Sequence, residues 1–199
     1  MSLDCVIGLF VGGQSSRMGG FPKGNLRAPG SALTLLERLI EEARAGSAAT
    51  PLVLVGNAEP YASLALPALA DQPPGIGPLG GLGALLEQAR SSGKTHAVAL
   101  ACDLPRLDRT LIARLLEQEP RAAALVAQQG TVRNPLIARY EVERTRAALS
   151  QTLAQQRRSL QAVLDQLGPD VACLELSAAE QARLDDWDTP DDAAGETPR

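Results

Sequence analysis

The segment Gly12-Gly13-Gln14-Ser15-Ser16-Arg17-Met18-Gly19-Gly20-Phe21-Pro22-Lys23 combines four glycines, two serines, an arginine and a lysine. No acid lies between Asp4 and Glu37. Glycine lets backbone N–H groups approach an anion closely, and a concave loop of such groups cradles phosphates. Arg17 and Lys23 add charge suited to triphosphate oxygens. The loop contains no Gly-Lys followed by Ser or Thr, so it is not a Walker A loop. A flexible surface loop is the alternative reading, and the apolar run directly before it weighs against that. Further along, Ala101-Cys102-Asp103-Leu104-Pro105 places a carboxylate at the end of another apolar run. Burying it is costly unless it is paired or holds a metal, and Mg²⁺ is commonly held by one or two carboxylates together with substrate phosphates. Asp103 could instead cap a helix near Asp108 or mark a turn. Opposite a phosphate loop, metal ligation is the stronger expectation.

A second glycine cluster, Gly75-Ile76-Gly77-Pro78-Leu79-Gly80-Gly81, formally fits G-x-G-x-x-G. A dinucleotide fingerprint needs a strand directly before it, whereas Ala70-Asp71-Gln72-Pro73-Pro74 precedes this one. A NAD site is therefore a remote reading. The cluster is expected to lead into a helix and shape the floor of a pocket. Asn57 and Asp71 each follow a strand-like segment, where a base-reading role and an ordinary turn remain equally open. His96, the one histidine, is expected to pack rather than act as a base. Arg157-Arg158 reads as a solvated helix start, and Trp187 as a residue packing the final segment onto the body.

These residues need a frame. Cys5 to Val11 is continuously apolar up to Gly12, the pattern of a strand buried on both faces. Leu33, Leu35, Leu36, Leu39, Ile40 and Ala43 recur at helical spacing, with Glu37, Arg38, Glu41 and Glu42 opposite. Strands are predicted at 51–55, 96–101, 122–127 and 171–176, with a short extended piece at 135–138. Helices are predicted at 82–89 and 111–117, with a helical stretch over 143–166. Alternating strands and helices imply parallel strands joined by crossovers, hence a three-layer α/β/α sandwich on a mostly parallel, Rossmann-like sheet. Ligands of such sheets bind outside the carboxyl ends of the strands.

The chain has 199 residues and a formal net charge of −4. That length suits one domain. Near-neutral charge and 3% aromatic residues argue against a nucleic-acid partner. Residues 185–199 hold six acids against Arg199, a net of −5, which leaves +1 for the rest of the chain. Residues 193–199 are expected to form a disordered tail. Cys5, Cys102 and Cys173 lie far apart in apolar runs and are expected to be buried reduced thiols of a cytoplasmic protein. A Cys/His zinc site is excluded by the scarcity of ligands. No apolar run is long enough for a membrane span, and the start Met-Ser-Leu-Asp-Cys lacks the basic region expected of a secretory signal.

Taken in order, the motifs resemble those of the molybdenum cofactor guanylyltransferases, the MobA group of the MobA-like nucleotidyltransferases. The family pattern L-A-G-G-x-S-x-R-M-G-x-x-K resembles Phe10 to Lys23, where one more residue stands before the lysine. G-P-L-x-G stands as Gly77-Pro78-Leu79-Gly80-Gly81, and C-D-x-P as Cys102-Asp103-Leu104-Pro105. Asn134-Pro135-Leu136 resembles the substrate-side H/N-P-L motif, and Asp186-Trp187-Asp188-Thr189-Pro190-Asp191-Asp192 the closing N-x-N-T-P-E-D. The resemblance implies one domain over 1–192, with the nucleotide-diphospho-sugar transferase fold. It implies nucleotide contacts from Phe10, Val11, Gly12, Gly13 and Lys23, with Asn57 and Asp71 reading the guanine or its surroundings. Asp103 would hold Mg²⁺, Asp188 would stand at a second metal-side position, and Lys23 and Arg17 would join Asp103 in catalysis. Gly77, Pro78, Leu79, Gly80 and Asn134 would face the molybdopterin phosphate. The implied reaction transfers GMP from GTP to the terminal phosphate of molybdopterin and releases pyrophosphate. A monomer is expected, with a molybdoenzyme or cofactor-pathway protein as possible partner. Two alternatives stand beside it: cytidylyl transfer from CTP in the same pathway, and a non-catalytic nucleotide- or cofactor-binding protein of the same fold. Three departures from the family pattern bear on the outcome: Phe10-Val11 for Leu-Ala, Pro22 for the acid before the lysine, and Asp186 and Asp188 for two asparagines.

Overall fold

The run Cys5–Phe10 forms the first strand (β1), with all of its residues buried. Its side chains alternate between two cores, Cys5, Ile7 and Leu9 entering one and Val6 and Phe10 the other. A strand covered on both faces has no polar face to show, which is why its sequence is continuously apolar. The computed structural model describes residues 4–12, 21–119, 121–181 and 184. Gly13, Arg17, Asp186, Trp187, Asp188 and the segment 193–199 lie outside the described residues.

Leu52–Val55 (β2), Ala68–Leu69 (β3), His96–Ala101 (β4), Ala124–Gln129 (β5), Val132–Glu141 (β6) and Val171–Leu174 (β7) complete a sheet of order β3-β2-β1-β4-β6-β5-β7. Neighbours among β1 to β4 are parallel, as are β5 and β7. The departure from the predicted parallel pattern is β6, antiparallel to both β4 and β5. Its cause is local. Gly130, at φ +60, and Thr131 join β5 to β6, and a two-residue link can close a hairpin but not a crossover. The extended piece expected at 135–138 is the middle of this ten-residue strand.

Helices cover both faces. Leu35–Gly46 (α1) and Arg109–Glu117 (α3) pack with one face, and Pro78–Ser91 (α2), Val142–Ala154 (α4) and Leu160–Leu167 (α5) with the other. Ala178–Gln181 is a last short helix, α6. The layers are therefore the predicted α/β/α sandwich. α1 opens with a capping box: Thr34 Oγ1 accepts the Glu37 N–H at 3.2 Å, and Glu37 Oε2 accepts the Thr34 N–H at 2.8 Å. The helical stretch expected over 143–166 is two helices, broken where Gln156 takes φ 58 and Ser159 caps the second by accepting the Ala162 N–H. Arg157 is accordingly outside a helix and donates to Asp165 at 3.0 Å, a carboxylate that Arg133 also reaches at 2.6 Å.

Cys5 and Cys102 are buried free thiols, but Cys173 is exposed. It sits on β7, which has a sheet neighbour on one side only, so its coverage is incomplete. No helix among the described residues is long and apolar enough to cross a membrane.

The sheet's least expected core residue is Arg139 on β6, fully buried. Its guanidinium donates to the carbonyls of Leu115, Gln118 and Glu119 at 2.6 to 2.7 Å. A cation there meets the negative end of α3 and occupies carbonyls that have no partner within the helix. Burial lowers the Arg139 pKa all the same. His96 opens β4 at this same, amino-terminal end of the strand, buried as expected of a packing residue. Burial, then the Arg139 charge, lowers its pKa below the usual 6.5, with Glu141 opposing and Arg144 adding to the effect. The folded chain thus holds His96 neutral while the unfolded chain protonates it more readily, so stability falls as pH falls below about 6.5. Urea titrations from pH 8 to 5 are expected to show this loss, with a slope of at most about 1.4 kcal/mol per pH unit from this group. In His96→Phe the part of the slope between about pH 6.5 and 5 should flatten.

Candidate functional site

The register of the parallel strands brings their carboxyl ends level. Phe10 is the partner of Val55 on one side and of Ala101 on the other, and Val55 is the partner of Leu69. The next residues of each strand therefore leave the sheet at one edge: Val11 and Gly12, Gly56 and Asn57, Cys102 and Asp103, Ala70 and Asp71. Backbone bonds extend the ladder a step further, Val11 N–H to Val55 O at 3.0 Å, Cys102 N–H to Phe10 O at 3.2 Å and Gly56 N–H to Leu69 O at 2.9 Å. From β1 the chain runs outward through β2 and β3, then returns to place β4 on the other side of β1. Such a reversal opens a crevice between the loops after β1 and β4, where open α/β sheets take their ligands.

Lys23 and Asp103 meet across that crevice. Lys23 starts a 3-10 turn, Lys23–Asn25, and its ammonium donates to Asp103 Oδ2 at 3.0 Å. The two side chains are 19% and 23% exposed, covered yet open to a ligand. Asp103 does not cap the next helix: Asp108 does, accepting the Leu111 N–H at 3.1 Å. Arg38 of α1 donates to the Leu107 carbonyl at 2.8 Å and ties down the loop after Asp103. Cys102 beside it is inert as a nucleophile, since burial, then the neighbouring Asp103 charge, pushes its thiol pKa up to about 12.

At the same edge of the sheet lies a cavity of about 630 Å³, lined by Phe10, Gly12, Asn57, Asp71, Gly77 and Pro78 among others. Part of its wall is main chain. Gly56 adopts φ +102, and a Cβ on it would lie 2.7 Å from Gly12 Cα and 2.8 Å from Gly12 N, so the loops after β1 and β2 touch backbone to backbone. Outside the cavity lining, Cβ atoms on Gly80 or Gly83 of α2 would meet the carbonyls of Pro73 and Gln72 at 2.4 and 2.3 Å. The strand exit bearing Asp71 is thereby pressed onto α2, and burial raises the Asp71 pKa. Asn57 is exposed; its Oδ1 accepts the Glu59 N–H at 3.3 Å. The G-P-L cluster is the start of α2 rather than a loop before it, Gly77 standing at the N-cap with φ 63 and Pro78 following. That end of the helix dipole, favourable to anions, borders the cavity.

The predicted residues thus divide. Phe10, Gly12, Asn57, Asp71, Gly77 and Pro78 share the cavity, with Val11 between Phe10 and Gly12. Lys23 and Asp103 pair at the same sheet edge but are not among the residues that line it. Leu79 and Gly80 are buried in α2. Asn134 is on β6 at the edge where β4 ends, its Oδ1 accepting the Leu136 N–H at 3.1 Å. Among the described residues no group of three or more His, Cys, Asp or Glu is arranged to hold a metal ion. Two contributors had no sequence signal. Gly56 is one glycine after a strand, and Tyr61 is a lone aromatic whose buried hydroxyl accepts the Gly24 N–H at 3.1 Å.

Residues 8–171 match the family model of the MobA-like NTP transferase domain, which covers most of the chain. The chain belongs to this family. A probable molybdenum cofactor guanylyltransferase of Carboxydothermus hydrogenoformans is 33% identical over 138 residues, which cover 69% of this chain and 66% of that protein, a little under two thirds of its length. One from Opitutus terrae is 29% identical over 92% of this chain and 90% of its own length. The crystal structure of molybdopterin-guanine dinucleotide biosynthesis protein A from Archaeoglobus fulgidus superposes with a TM-score of 0.74 at 21% identity, covering 96% of this chain and 95% of that one, a likeness of fold. Within this MobA-like frame, the Gly12–Gly56 contact sets the cavity wall. Gly56→Ala forces a side chain into positive φ against Gly12 backbone and is expected to cost about 1–3 kcal/mol in urea unfolding. Asn57→Ala, one residue on and exposed, should stay within about 0.5 kcal/mol of wild type.

Proposed function

We propose that this chain is a nucleotidyltransferase that moves GMP from GTP to the terminal phosphate of molybdopterin and releases pyrophosphate. The observation that carries the reading is the Lys23–Asp103 pair, 3.0 Å apart in the crevice between β1 and β4. Membership of an NTP transferase family supports it, as do relatives named as guanylyltransferases.

In this reaction a phosphate oxygen of molybdopterin attacks the α-phosphorus of GTP. A P–O bond forms there, the bond to the β-phosphate oxygen breaks, and pyrophosphate leaves with the electron pair. The nucleophile is already an anion and needs no general base, which agrees with the chain's one histidine lying at the opposite end of β4. What the reaction needs is alignment and charge neutralisation. Lys23 would exchange the Asp103 carboxylate for phosphate oxygens, a trade between two charge-assisted hydrogen bonds. The Gly12 backbone and the start of α2 would present N–H groups and a positive dipole end to the same anion.

Asp103, released from Lys23, requires another cation. One carboxylate joined by substrate phosphates is a donor set that suits Mg²⁺, so Asp103 would hold the ion, with Asp188 as a second candidate. When bound, Mg²⁺ supplies neutralisation of charge on the phosphate oxygens. Asp71 and Asn57 would read the base. Guanine presents two adjacent N–H donors on its pairing edge, which one carboxylate can accept together, whereas cytosine presents its amino group alone. That difference, with the names of the sequence relatives, favours GTP over CTP.

The test is pyrophosphate release with Mg²⁺, molybdopterin and either GTP or CTP. GTP is expected to be the better substrate. Asp103→Ala and Lys23→Ala should each lower turnover by about 10²–10³-fold while the fold is retained. Wild-type activity in Asp103→Ala would remove that residue from the chemistry. Tight GTP binding with no pyrophosphate release by the wild type would replace the enzyme with a nucleotide-binding protein of the same fold.

A further inference from the structure

We infer that Tyr61 is a positioning residue for Lys23: its buried hydroxyl fixes the turn from which the lysine reaches across the crevice. The inference rests on the reading of Lys23 as the phosphate-binding cation.

Tyr61 is 3% exposed and lies in the 3-10 segment Glu59–Leu64, after β2 and far in sequence from the turn it holds. Its hydroxyl accepts the Gly24 N–H at 3.1 Å. The contact extends beyond one hydrogen bond, because a Cβ on Gly24 would lie 2.9 Å from both the hydroxyl oxygen and Cε1 of the ring. Gly24 is thus the residue that lets the turn sit directly on the tyrosine. Cys102, which precedes Asp103, is likewise buried. Gly24 and Cys102 are thus buried residues one position removed from Lys23 on one arm and from Asp103 on the other.

The turn's own backbone bonds, Asn25 N–H to Pro22 O at 2.9 Å and Leu26 N–H to Lys23 O at 3.0 Å, close it on itself, and the Leu26 carbonyl just after it accepts the Leu35 N–H of α1 at 2.8 Å. The hydroxyl of Tyr61 adds a tie from within the turn to the segment that follows β2. Lysine is a point charge on a flexible stem, so where its ammonium can stand depends on how firmly its backbone is held. Tyr61 itself does not line the cavity. Its effect on a ligand must pass through the turn.

The experiment measures binding of GTP, CTP and inorganic triphosphate, each with Mg²⁺, by calorimetry on the full chain. Four proteins are compared: wild type, Tyr61→Phe, Lys23→Ala and the double variant. Tyr61→Phe keeps the ring and removes the acceptor, leaving a buried N–H weakly served, and is expected to weaken binding about tenfold. On the Lys23→Ala background the same change should have no further effect, since residues acting as a unit are not additive. A full second loss there, or no loss in Tyr61→Phe alone, overturns the inference. Gly24→Ala pushes the turn off the ring from the other side and should reproduce both results, so the test stands if Tyr61→Phe fails to fold. Binding of CTP in preference to GTP would sink the guanylyl reading, yet the cycle is then read on CTP. A wild type that binds none of the three overturns both.

Discussion

Everything at the site depends on the level exit of four parallel strands. Because β1 is hydrogen-bonded on both edges and buried on both faces, it cannot slip or tilt without breaking two ladders and two cores at once. Its partners inherit that fixity through Phe10, Val55, Ala101 and Leu69. A lysine and an aspartate 80 residues apart can then meet within a hydrogen bond, although neither belongs to a regular strand or an α-helix. The rigid sheet does the measuring, and the loops carry the charged side chains.

The two ends of the sheet have different tasks. At the carboxyl end Lys23 and Asp103 are half-buried, opposed in charge and paired with each other. At the amino end Arg139 is sealed in, its charge spent on three main-chain carbonyls of α3 rather than on a ligand. Breaking such an arrangement is far costlier than its net contribution to stability, since removing the guanidinium strands the carbonyls and removing the helix end strands a cation. Arg139 therefore fixes how α3 docks on β6, and α3 packs with α1, whose Arg38 holds the loop after Asp103. The closed end thus supports the open one through two helices.

Much of this was legible in the sequence, for reasons particular to each element. β1 and β4 were clear because a strand buried on both faces writes a continuous apolar run, and β4 was read residue for residue at 96–101. α1 was clear because its buried residues keep helical period. The β5–β6 hairpin was hidden: Asn134, Pro135 and Arg139 interrupt the apolar pattern, and a strand carrying an arginine and a proline does not look central. Arg139 is tolerated there only because the end of α3 supplies its acceptors, which no local pattern reveals. At the site, the glycine loop and Asp103 stood out by residue type. Gly56 and Tyr61 did not, since a close backbone approach and a buried hydroxyl facing another loop exist only once distant segments are assembled. Cys173 was misjudged for the same kind of reason: an apolar run does not say that its strand will end a sheet.

The contact of Gly12 with Gly56 in the cavity wall has one more consequence. Where two stretches of main chain touch with no side chain between them, the wall they form has a fixed thickness. Trimming residues cannot deepen the cavity there, and enlarging them breaks the wall before it narrows the space. The shape of this part of the cavity is thus withdrawn from variation by simple substitution, and what the cavity accepts is left to the few side chains that project into it, Asn57 and Asp71 foremost, and to the lengths of the loops that carry them.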